Sequence, residues 1–361
     1  MLCSVNKKRN LNIDLIRILA TLMIVTAHIT GIIYERPDFF GSIFWWANHI
    51  VLSLCRLGVP LFFMISGYLL VDKVRAPLEN IKKTFFRLGL PFISFYIISS
   101  LFFSYIHDTR PFENIIEKIF AGGDNYLYFL PGLIIIYLIN PFIQKATTNI
   151  TQDELKKITA FFFANSALFT LGAFILSKDG LIRNQTFLYW FLVLPFFLYG
   201  GYIKKSEPLE IKFFEKIMIF LPVLVNIAGT YIFQRLYITN ENIFFLKIAH
   251  YLQSYLGATV IISTINFFKV LISLDLEKIK IERYRFVIIE SVRNSFGIYL
   301  VHMMILEFFL FRTPLTIDRG PYNPAVMVLL IWLALLTASY MLSFFVRRIS
   351  LIKSIVGEYR L

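Results

Sequence analysis

Apolar residues along this chain lie in long blocks that are separated by short polar stretches. The blocks lack the two-residue alternation of a half-buried strand. Each is close to the roughly 20 residues that a helix needs to cross about 30 Å of hydrocarbon. The pattern predicts an all-α polytopic membrane helix bundle with ten spans, at 11–34, 46–71, 86–106, 126–143, 158–177, 186–203, 213–234, 243–268, 294–311 and 324–346.

Composition agrees with this prediction. Of the 361 residues, 57% are hydrophobic and only 16% are charged, whereas soluble domains average roughly 45–50% and about 25%. A soluble globular enzyme, a disordered chain and a disulfide-rich secreted module are therefore excluded. We expect one transmembrane domain over residues 1–361, with no separate soluble domain, because no polar stretch is long enough to form one.

The net charge of +13 would suggest nucleic-acid binding in a soluble protein. Here the lysines and arginines follow the topology instead, because loops rich in them alternate with loops that are poor in them. This alternation is typical of the positive-inside rule and predicts that both termini are cytoplasmic. We therefore expect no nucleic-acid partner.

Metal and disulfide chemistry have little support in the sequence. Cys3 is in the N-terminal segment and Cys55 is inside the second span, so no disulfide framework is expected. The chain has no cluster of His, Cys and carboxylate residues at ligand spacing. We expect no metal.

The first span contains several polar residues. Asp14, Arg17, Thr21 and His28 fall on one helical face, and Arg17 and His28 are separated by about 16 Å along the axis. One interpretation is an interfacial ion pair between Asp14 and Arg17 together with a histidine that hydrogen-bonds a neighbouring helix. The other is a substrate or proton pathway, since ionisable residues in a membrane usually face a cavity or a partner.

The second span contains Arg56 about ten residues deep, followed by Gly58, Pro60, Ser66 and Gly67. Glycine and proline break the helical pattern there, which membrane helices tolerate where the backbone is buried in protein or lines a cavity. Simple helix packing would explain the glycines as well. Packing alone does not explain a buried guanidinium.

Two further groups are candidates. Lys83 and Arg87 share a helical face at the membrane edge, and they would bind either anionic lipid head groups or the phosphates of a soluble donor. In the ninth span, Tyr299 and His302 fall on one face with Ser295, in either a packing or a functional role.

This constellation resembles acyltransferase family 3, the integral-membrane O-acyltransferases that modify bacterial surface glycans. The resemblance covers nearly the whole chain, and its most diagnostic part is the stretch 56–70. It also includes the first-span residues Asp14, Arg17 and His28, and weaker matches at 87–91, 127–141, 199–202 and 296–302. Tyr126 and Tyr128 stand where the family commonly has His and Trp.

The resemblance implies transfer of an acyl group, most often acetyl, from cytoplasmic acetyl-CoA to a hydroxyl of a surface or lipid-linked glycan. It implies a multi-pass protein of the bacterial cytoplasmic (inner) membrane, in contact with membrane lipid. The chain is similar to the branch that lacks an additional soluble transfer domain. A homodimer remains open.

The chemistry of thioester transfer assigns roles to these residues. His28 would be the general base, Arg17 would orient the donor or stabilise charge, and Asp14 would hold Arg17. The cofactor-binding candidates are Lys83, Arg87 and Arg56, of which Arg56 would also line the reaction cavity. Ser66, Tyr299 and His302 would line the substrate cavity.

Alternatives from other classes stay open at this point. Intramembrane charges and broken helices would equally serve a transporter or flippase for a lipid-linked saccharide. A sensor or scaffold without turnover is a third possibility. The sequence also leaves open whether His28 acts as a base or carries the acyl group transiently.

Overall fold

The computed structural model describes residues 10–71, 73, 76–110, 126–177, 186–206, 209–276, 281–313, 323–349 and 352–357. Within these ranges the chain is helical and forms no strand. The helices are α1 (Leu11–Tyr34), α2 (Ile43–Cys55), α3 (Gly58–Leu70), α4 (Pro77–Thr84), α5 (Leu90–His107), α6 (Phe129–Thr147), α7 (Gln152–Leu176), α8 (Thr186–Lys205), α9 (Phe213–Asn240), α10 (Ile243–Leu252), α11 (Ala258–Ile272), α12 (Arg285–Arg312) and α13 (Pro324–Arg348).

Short elements complete the described part of the chain. They are a π-helical turn, Phe85–Gly89, and the 3₁₀ turns Pro37–Phe39, Ile281–Tyr284 and Lys353–Val356. The π-helical turn joins α4 to α5 without an intervening loop.

Eight helical stretches in the described residues are long and apolar enough to cross a membrane. Two of them are composite, since α2 continues into α3 and α4 continues into α5. The 20-residue α8 and the shorter apolar pair α10 and α11 lie where the other two of the ten spans are predicted, but they are not among these eight. The protein is therefore an all-α, multi-pass integral membrane bundle, as the hydropathy pattern predicts.

The predicted second span, 46–71, is not one continuous helix. α2 ends at Cys55 and α3 begins at Gly58, with Arg56 in the turn between them. Pro60 is four residues after Arg56, so it removes the amide that would bond the Arg56 carbonyl in a continuous helix. The break therefore lies where the proline places it.

The predicted eighth span, 243–268, is also divided. α10 ends at Leu252, α11 begins at Ala258, and Gly257 is the N-cap of α11. A Cβ atom on Gly257 would lie 2.6 Å from the Tyr251 carbonyl oxygen, so only glycine fits this tight connection. The hydropathy pattern does not reveal this break, because the residues on both sides of it are apolar.

Glycines bring α3 and α8 into direct backbone contact. A Cβ atom on Gly67 would lie 1.8 Å from the Phe197 carbonyl oxygen, and one on Gly200 would lie 2.0 Å from that of Met64. Small residues allow such close approach between membrane helices. The packing interpretation of Gly67 is thus supported, and the contact fixes α8 against α3.

α1 lies at the centre of the bundle. It contacts α2, α3, α11, α12 and α13, and its apolar residues join the main core with those of α3, α6, α8, α11 and α12. Half of its apolar stretch is buried, and Asp14 and Thr21 are each only 5% exposed. These polar residues of the first span therefore face other helices and not lipid.

Candidate functional site

A cavity of about 670 Å³ opens at the end of the bundle that the charge alternation predicts to face the cytoplasm. Helices α1, α3, α6, α8 and α12 form its wall, together with the π-helical turn and the 3₁₀ turn near the C-terminus. Four of the predicted site residues on three helices line it: Asp14, Arg17, Ser66 and Tyr299. Arg87 of the π-helical turn is a fifth.

The lining of this cavity is strongly cationic. It contains five basic side chains, those of Arg17, Lys73, Arg87, Lys204 and Arg293, and one carboxylate, that of Asp14. Asp14 itself is only 5% exposed. A cavity lined mainly by one sign of charge concentrates ligands of the opposite charge, so this cavity is suited to a ligand with several negative charges. We refer to it below as the cationic cavity.

Tyr68 organises one wall of the cationic cavity. Its hydroxyl accepts a hydrogen bond of 3.0 Å from the Asn10 amide and one of 3.3 Å from the Lys204 ammonium. The same ammonium lies 4.8 Å from the centre of the Tyr68 ring. The contact between α3 and α8 therefore places a cation of α8 beside a phenol of α3, at the cavity mouth.

Arg87 reaches the cavity from the π-helical turn, which has a local cause. Pro91 is four residues further on, and its ring would clash with the Arg87 carbonyl in a regular α-helix. The widened turn relieves that clash. Arg87 and Pro91 thus repeat the spacing of Arg56 and Pro60, and in both cases the backbone departs from the α-helix near the arginine.

Lys83 does not accompany Arg87 into the cavity. Its ammonium is paired with the Glu79 carboxylate at 2.5 Å on the outer side of α4. The expectation that Lys83 and Arg87 act from one helical face assumed a regular helix between them. The π-helical turn begins at Phe85 and changes that register.

Arg293 is held by an ion-pair network behind the cavity wall. Glu290 bridges two guanidinium groups, since its Oε1 accepts from Arg293 at 2.9 Å and its Oε2 accepts from Arg347. Arg347 is buried and belongs to α13. The network ties α13 to the helix that presents Arg293.

Aromatic side chains close the inner end of the cationic cavity. The rings of Phe129 and Tyr299 both line it and lie 5.6 Å apart. The Tyr299 hydroxyl donates to the Tyr126 carbonyl at 2.6 Å, which fixes the ring. Ser66, which also lines the cavity, accepts from the Tyr137 hydroxyl at 3.2 Å. The cavity therefore ends at an aromatic layer formed by Phe129 and Tyr299.

Two of the predicted residues lie together directly behind this layer. The rings of His28 and His302 are 5.1 Å apart and inclined by 48°. His302 is completely buried, and its ring centre is 5.8 Å from that of Tyr299. Neither imidazole lines the cationic cavity itself. The structure thus brings a histidine of α1 into contact with a histidine of α12. The Tyr299 side chain lies between this pair and the cavity.

Arg56 lies in the same deep region and not among the cavity cations. Its Nε donates to the Gln253 side-chain oxygen at 3.3 Å, and its Nη1 donates to the Tyr255 hydroxyl at 3.4 Å. Its guanidinium is close enough to His28 for the two groups to interact electrostatically. No ion pair joins it to a carboxylate of the described residues.

The two helix breaks therefore meet at Arg56. Gln253, in the break before α11, donates through its amide to the Ser53 hydroxyl at 3.1 Å and to the Asn226 side-chain oxygen at 2.9 Å. Asn226 also donates to the Leu252 carbonyl at the end of α10. These neutral groups hold the guanidinium in place without neutralising it.

Several of these residues were not predicted from the sequence. Lys73, Lys204 and Arg293 lie just outside the predicted spans, so the cost of a charge in the membrane did not single them out, although they line the cavity. Gln253 lies inside an apolar block, where the hydropathy pattern does not distinguish it. An amide in that position, four residues before Gly257, was the available signal.

Metal ligands do not cluster in the part of the chain that the structure describes. There, no group of three or more His, Cys, Asp or Glu side chains is arranged to hold a metal ion. The histidine pair is accompanied by aromatic rings instead, those of Tyr126 and Tyr299.

A comparison with protein families identifies one model that spans nearly the whole chain. The model of acyltransferase family 3, described as an acyltransferase domain, matches residues 10–348. The matched region contains all of the helices named above. No solved structure matches the chain.

Two similar proteins carry the names of racemases. An amino-acid racemase of Enterococcus faecalis is 30% identical over 215 residues, which cover 54% of this chain and 28% of the racemase. A serine/alanine racemase of Enterococcus gallinarum is 27% identical over 202 residues, which cover 54% of this chain and 26% of the racemase. The similarity thus extends over about a quarter of the length of each racemase.

Proposed function

This chain belongs to acyltransferase family 3, and from that premise we propose that it transfers an acyl group, acetyl in the simplest case, from acyl-CoA to a hydroxyl of a surface or lipid-linked glycan. The observation that carries the proposal is the cationic cavity, which ends one aromatic layer away from a pair of imidazoles. This arrangement places a site suited to a polyanionic donor next to imidazole groups that can accept a proton.

Acyl-CoA would bind with its phosphates at the mouth of the cationic cavity. Arg17, Arg87 and Arg293 offer guanidinium groups, whose paired donors match phosphate oxygens. Lys73 and Lys204 add positive charge at the same end. Asp14, three residues before Arg17 on the same helix, would orient that guanidinium.

The thioester would enter the region of the histidines through the aromatic layer. The Tyr299 ring lines the cavity and contacts the ring of His302, so displacement of this side chain, with loss of its hydrogen bond to the Tyr126 carbonyl, would open the way. Ser66, in the cavity wall, would contact the arm of the donor on this path.

The reaction itself would take place between His28 and Arg56. His28 would remove the proton of the acceptor hydroxyl, because imidazole is the side chain whose ordinary pKa is closest to working pH. The hydroxyl oxygen would then attack the thioester carbon. Arg56, which is charged and not neutralised by a carboxylate of the described residues, would stabilise the negative charge on the thioester oxygen.

The acceptor would reach this centre from the side opposite to CoA. His28 lies in the half of α1 away from the predicted cytoplasmic end, about 16 Å beyond Arg17. That depth favours a glycan presented from the outer face or in the outer part of the bilayer. A location in the bacterial cytoplasmic (inner) membrane follows from the donor and the acceptor together.

One observation favours a second function, transport of a lipid-linked saccharide. The breaks between α2 and α3 and between α10 and α11 face each other at membrane depth, and discontinuous helices of this kind form binding sites in transporters. The two functions differ in a measurable product, because only the acyltransferase forms a new ester.

Reconstitution tests the proposal directly. The full chain in liposomes would receive labelled acetyl-CoA and a lipid-linked glycan acceptor, with protein-free liposomes as the control. We expect loss of thioester in step with formation of an O-acetyl ester. Movement of the saccharide without ester formation would instead establish the transporter, and neither product would refute both.

Analysis of the surface glycan of the producing cells identifies the acceptor. We expect O-acetyl signals in cells that contain the protein and their loss in cells that lack it. An unchanged glycan would contradict a surface acceptor.

A further inference from the structure

His302 lies against the proposed base, and its own ring atoms are in unlike environments. We propose that His302 is a positioning residue: its Nε2 accepts a hydrogen bond from the His28 ring and so fixes which His28 nitrogen faces the acceptor hydroxyl. The inference rests on the proposed acyl transfer and adds a second imidazole to it.

The hydrogen bond of His302 to the backbone determines its tautomer. Its Nδ1 lies 2.6 Å from the Tyr299 carbonyl oxygen. A carbonyl oxygen only accepts, so Nδ1 carries the proton and donates. In the neutral ring, Nε2 then has a lone pair and no hydrogen. The backbone of α12 therefore prepares His302 as a hydrogen-bond acceptor at Nε2.

That acceptor has no partner in the described part of the chain. The Nε2 atom is buried and makes no hydrogen bond there, and His302 as a whole is 0% exposed. A buried polar atom without a partner costs free energy, and a catalytic role is one of the explanations for such an atom in a native protein. A donor placed at Nε2 would remove that cost.

His28 is the ring neighbour that remains available as that donor. The other neighbours are two phenols, and both are engaged: Tyr299 donates to the Tyr126 carbonyl, and Tyr126 donates to the Leu300 carbonyl at 3.3 Å. His28 forms no hydrogen bond with any residue that the structure describes, and its ring is 5.1 Å from that of His302. Rotation of the His28 ring would close the remaining gap, as often occurs when a substrate binds.

In the resulting pair, His28 transfers the proton and His302 holds the His28 ring in position. His28 donates through one nitrogen to His302 and presents the other, with its lone pair, to the acceptor hydroxyl. The hydroxyl proton moves to His28, the oxygen–carbon bond forms and the carbon–sulfur bond breaks. His28 then returns the proton to the sulfur of CoA. His302 keeps its own proton on Nδ1 throughout, and its hydrogen bond strengthens while His28 is charged.

Two substitutions of His302 separate positioning from packing. His302→Asn retains a donor for the Tyr299 carbonyl but has no group at the place of Nε2. His302→Gln reaches that place with an amide oxygen, which accepts a hydrogen bond. In the full chain in liposomes, we expect His302→Asn to lower kcat by about 10²-fold with KM for acetyl-CoA unchanged. We expect His302→Gln to stay within about tenfold of the wild type.

His49→Gln is the matched control, because the Gln amide retains a donor at the place of Nε2. His49 is also 0% exposed, and its Nε2 bonds the Ile227 carbonyl at 3.0 Å while its other nitrogen has no partner in the described part of the chain. Its ring contacts Tyr34, Trp45 and Trp46, so it reports the general cost of losing a buried imidazole. We expect it to retain the wild-type kcat.

The outcomes are distinguishable. A wild-type protein that forms no ester refutes the proposed function, and the inference fails with it. If the wild type is active, His302→Asn with wild-type kcat overturns the positioning role alone. Equal losses in His302→Asn and His302→Gln overturn it as well, because acceptance of a hydrogen bond would then not suffice.

Discussion

The two polar regions of this protein, the cationic cavity and the deeper region around His28, differ in how many charged groups they contain and how these are packed. The cationic cavity collects several basic side chains around an open volume, and part of that surface is exposed. The deeper region contains His28, His302 and Arg56, packed among aromatic rings and neutral amides. One region is open and strongly charged, whereas in the other His302 is buried, His28 and Arg56 are half-buried, and Arg56 is the single guanidinium named.

This difference indicates a division between binding and reaction. Charges around an open cavity attract a polyanion but still exchange with water, so each contributes modestly to affinity. A charge that is fixed by hydrogen bonds away from bulk water acts strongly on charge that develops next to it. Substitutions in the cationic cavity should therefore change KM, and substitutions in the deep region should change kcat.

The largest effect is expected for the proposed base. His28→Ala should lower kcat by roughly 10²–10⁴-fold, because no other group would take the hydroxyl proton. The measurement is ester formation in liposomes that contain equal amounts of inserted protein. Turnover at the wild-type rate in this variant would remove His28 from the mechanism.

A smaller loss is expected at the helix breaks. Arg56→Gln should lower kcat by about 10²-fold with little change in KM for acyl-CoA, since it removes the charge beside the reacting carbonyl. Arg56→Lys keeps the charge but loses the bonds to Gln253 and Tyr255. Its kcat should therefore lie between that of the wild type and that of Arg56→Gln. An effect on KM alone would place Arg56 with the cofactor phosphates instead.

The cationic cavity should respond in KM. Arg87→Ala should raise KM for acyl-CoA about tenfold and leave kcat nearly unchanged, because one charge-assisted contact to phosphate is lost. Lys83→Ala is the matched control: it removes an equal charge four residues away, but Lys83 is paired with Glu79 outside the cavity. Equal shifts in both variants would show that the surface charge acts as a whole, with no specific site at Arg87.

The smallest effect on chemistry is expected in the framework that both regions share. Gly67→Ala should lower the free energy of unfolding by roughly 1–3 kcal/mol, because its new methyl group would meet the Phe197 carbonyl. Gly172→Ala, a helical glycine with open space around its Cβ position, should instead be neutral or stabilising by about 0.5–1 kcal/mol. The midpoint of thermal unfolding in detergent measures both. Equal midpoints would contradict the backbone contact between α3 and α8.

Much of the architecture was predictable because lipid imposes a simple rule. Blocks of apolar residues near 20 long must form helices that satisfy their own backbone, so the all-α bundle followed from hydropathy. The break at Arg56 was partly visible through Gly58 and Pro60. The break after α10 was not, because Gln253 lies between apolar residues on both sides.

The site was predictable residue by residue but not as an arrangement. Intramembrane cost singled out Arg17, His28, Arg56 and His302 as residues that need partners. The pattern did not show which partners they have. It grouped Lys83 with Arg87, whereas the structure places only Arg87 in the cavity.

The order of residues along the chain thus determined what must span the membrane and which few side chains are too costly to face lipid, since both depend on composition over short distances. Packing alone decided that His28 of α1 meets His302 of α12 and that Arg56 meets Gln253. These pairs are separated by 274 and 197 positions, so no local periodicity relates them. Their contact follows from the contacts of α1 with five other helices and from Gly58 of α3, where a Cβ atom would lie 3.0 Å from the Ala20 carbonyl oxygen of α1.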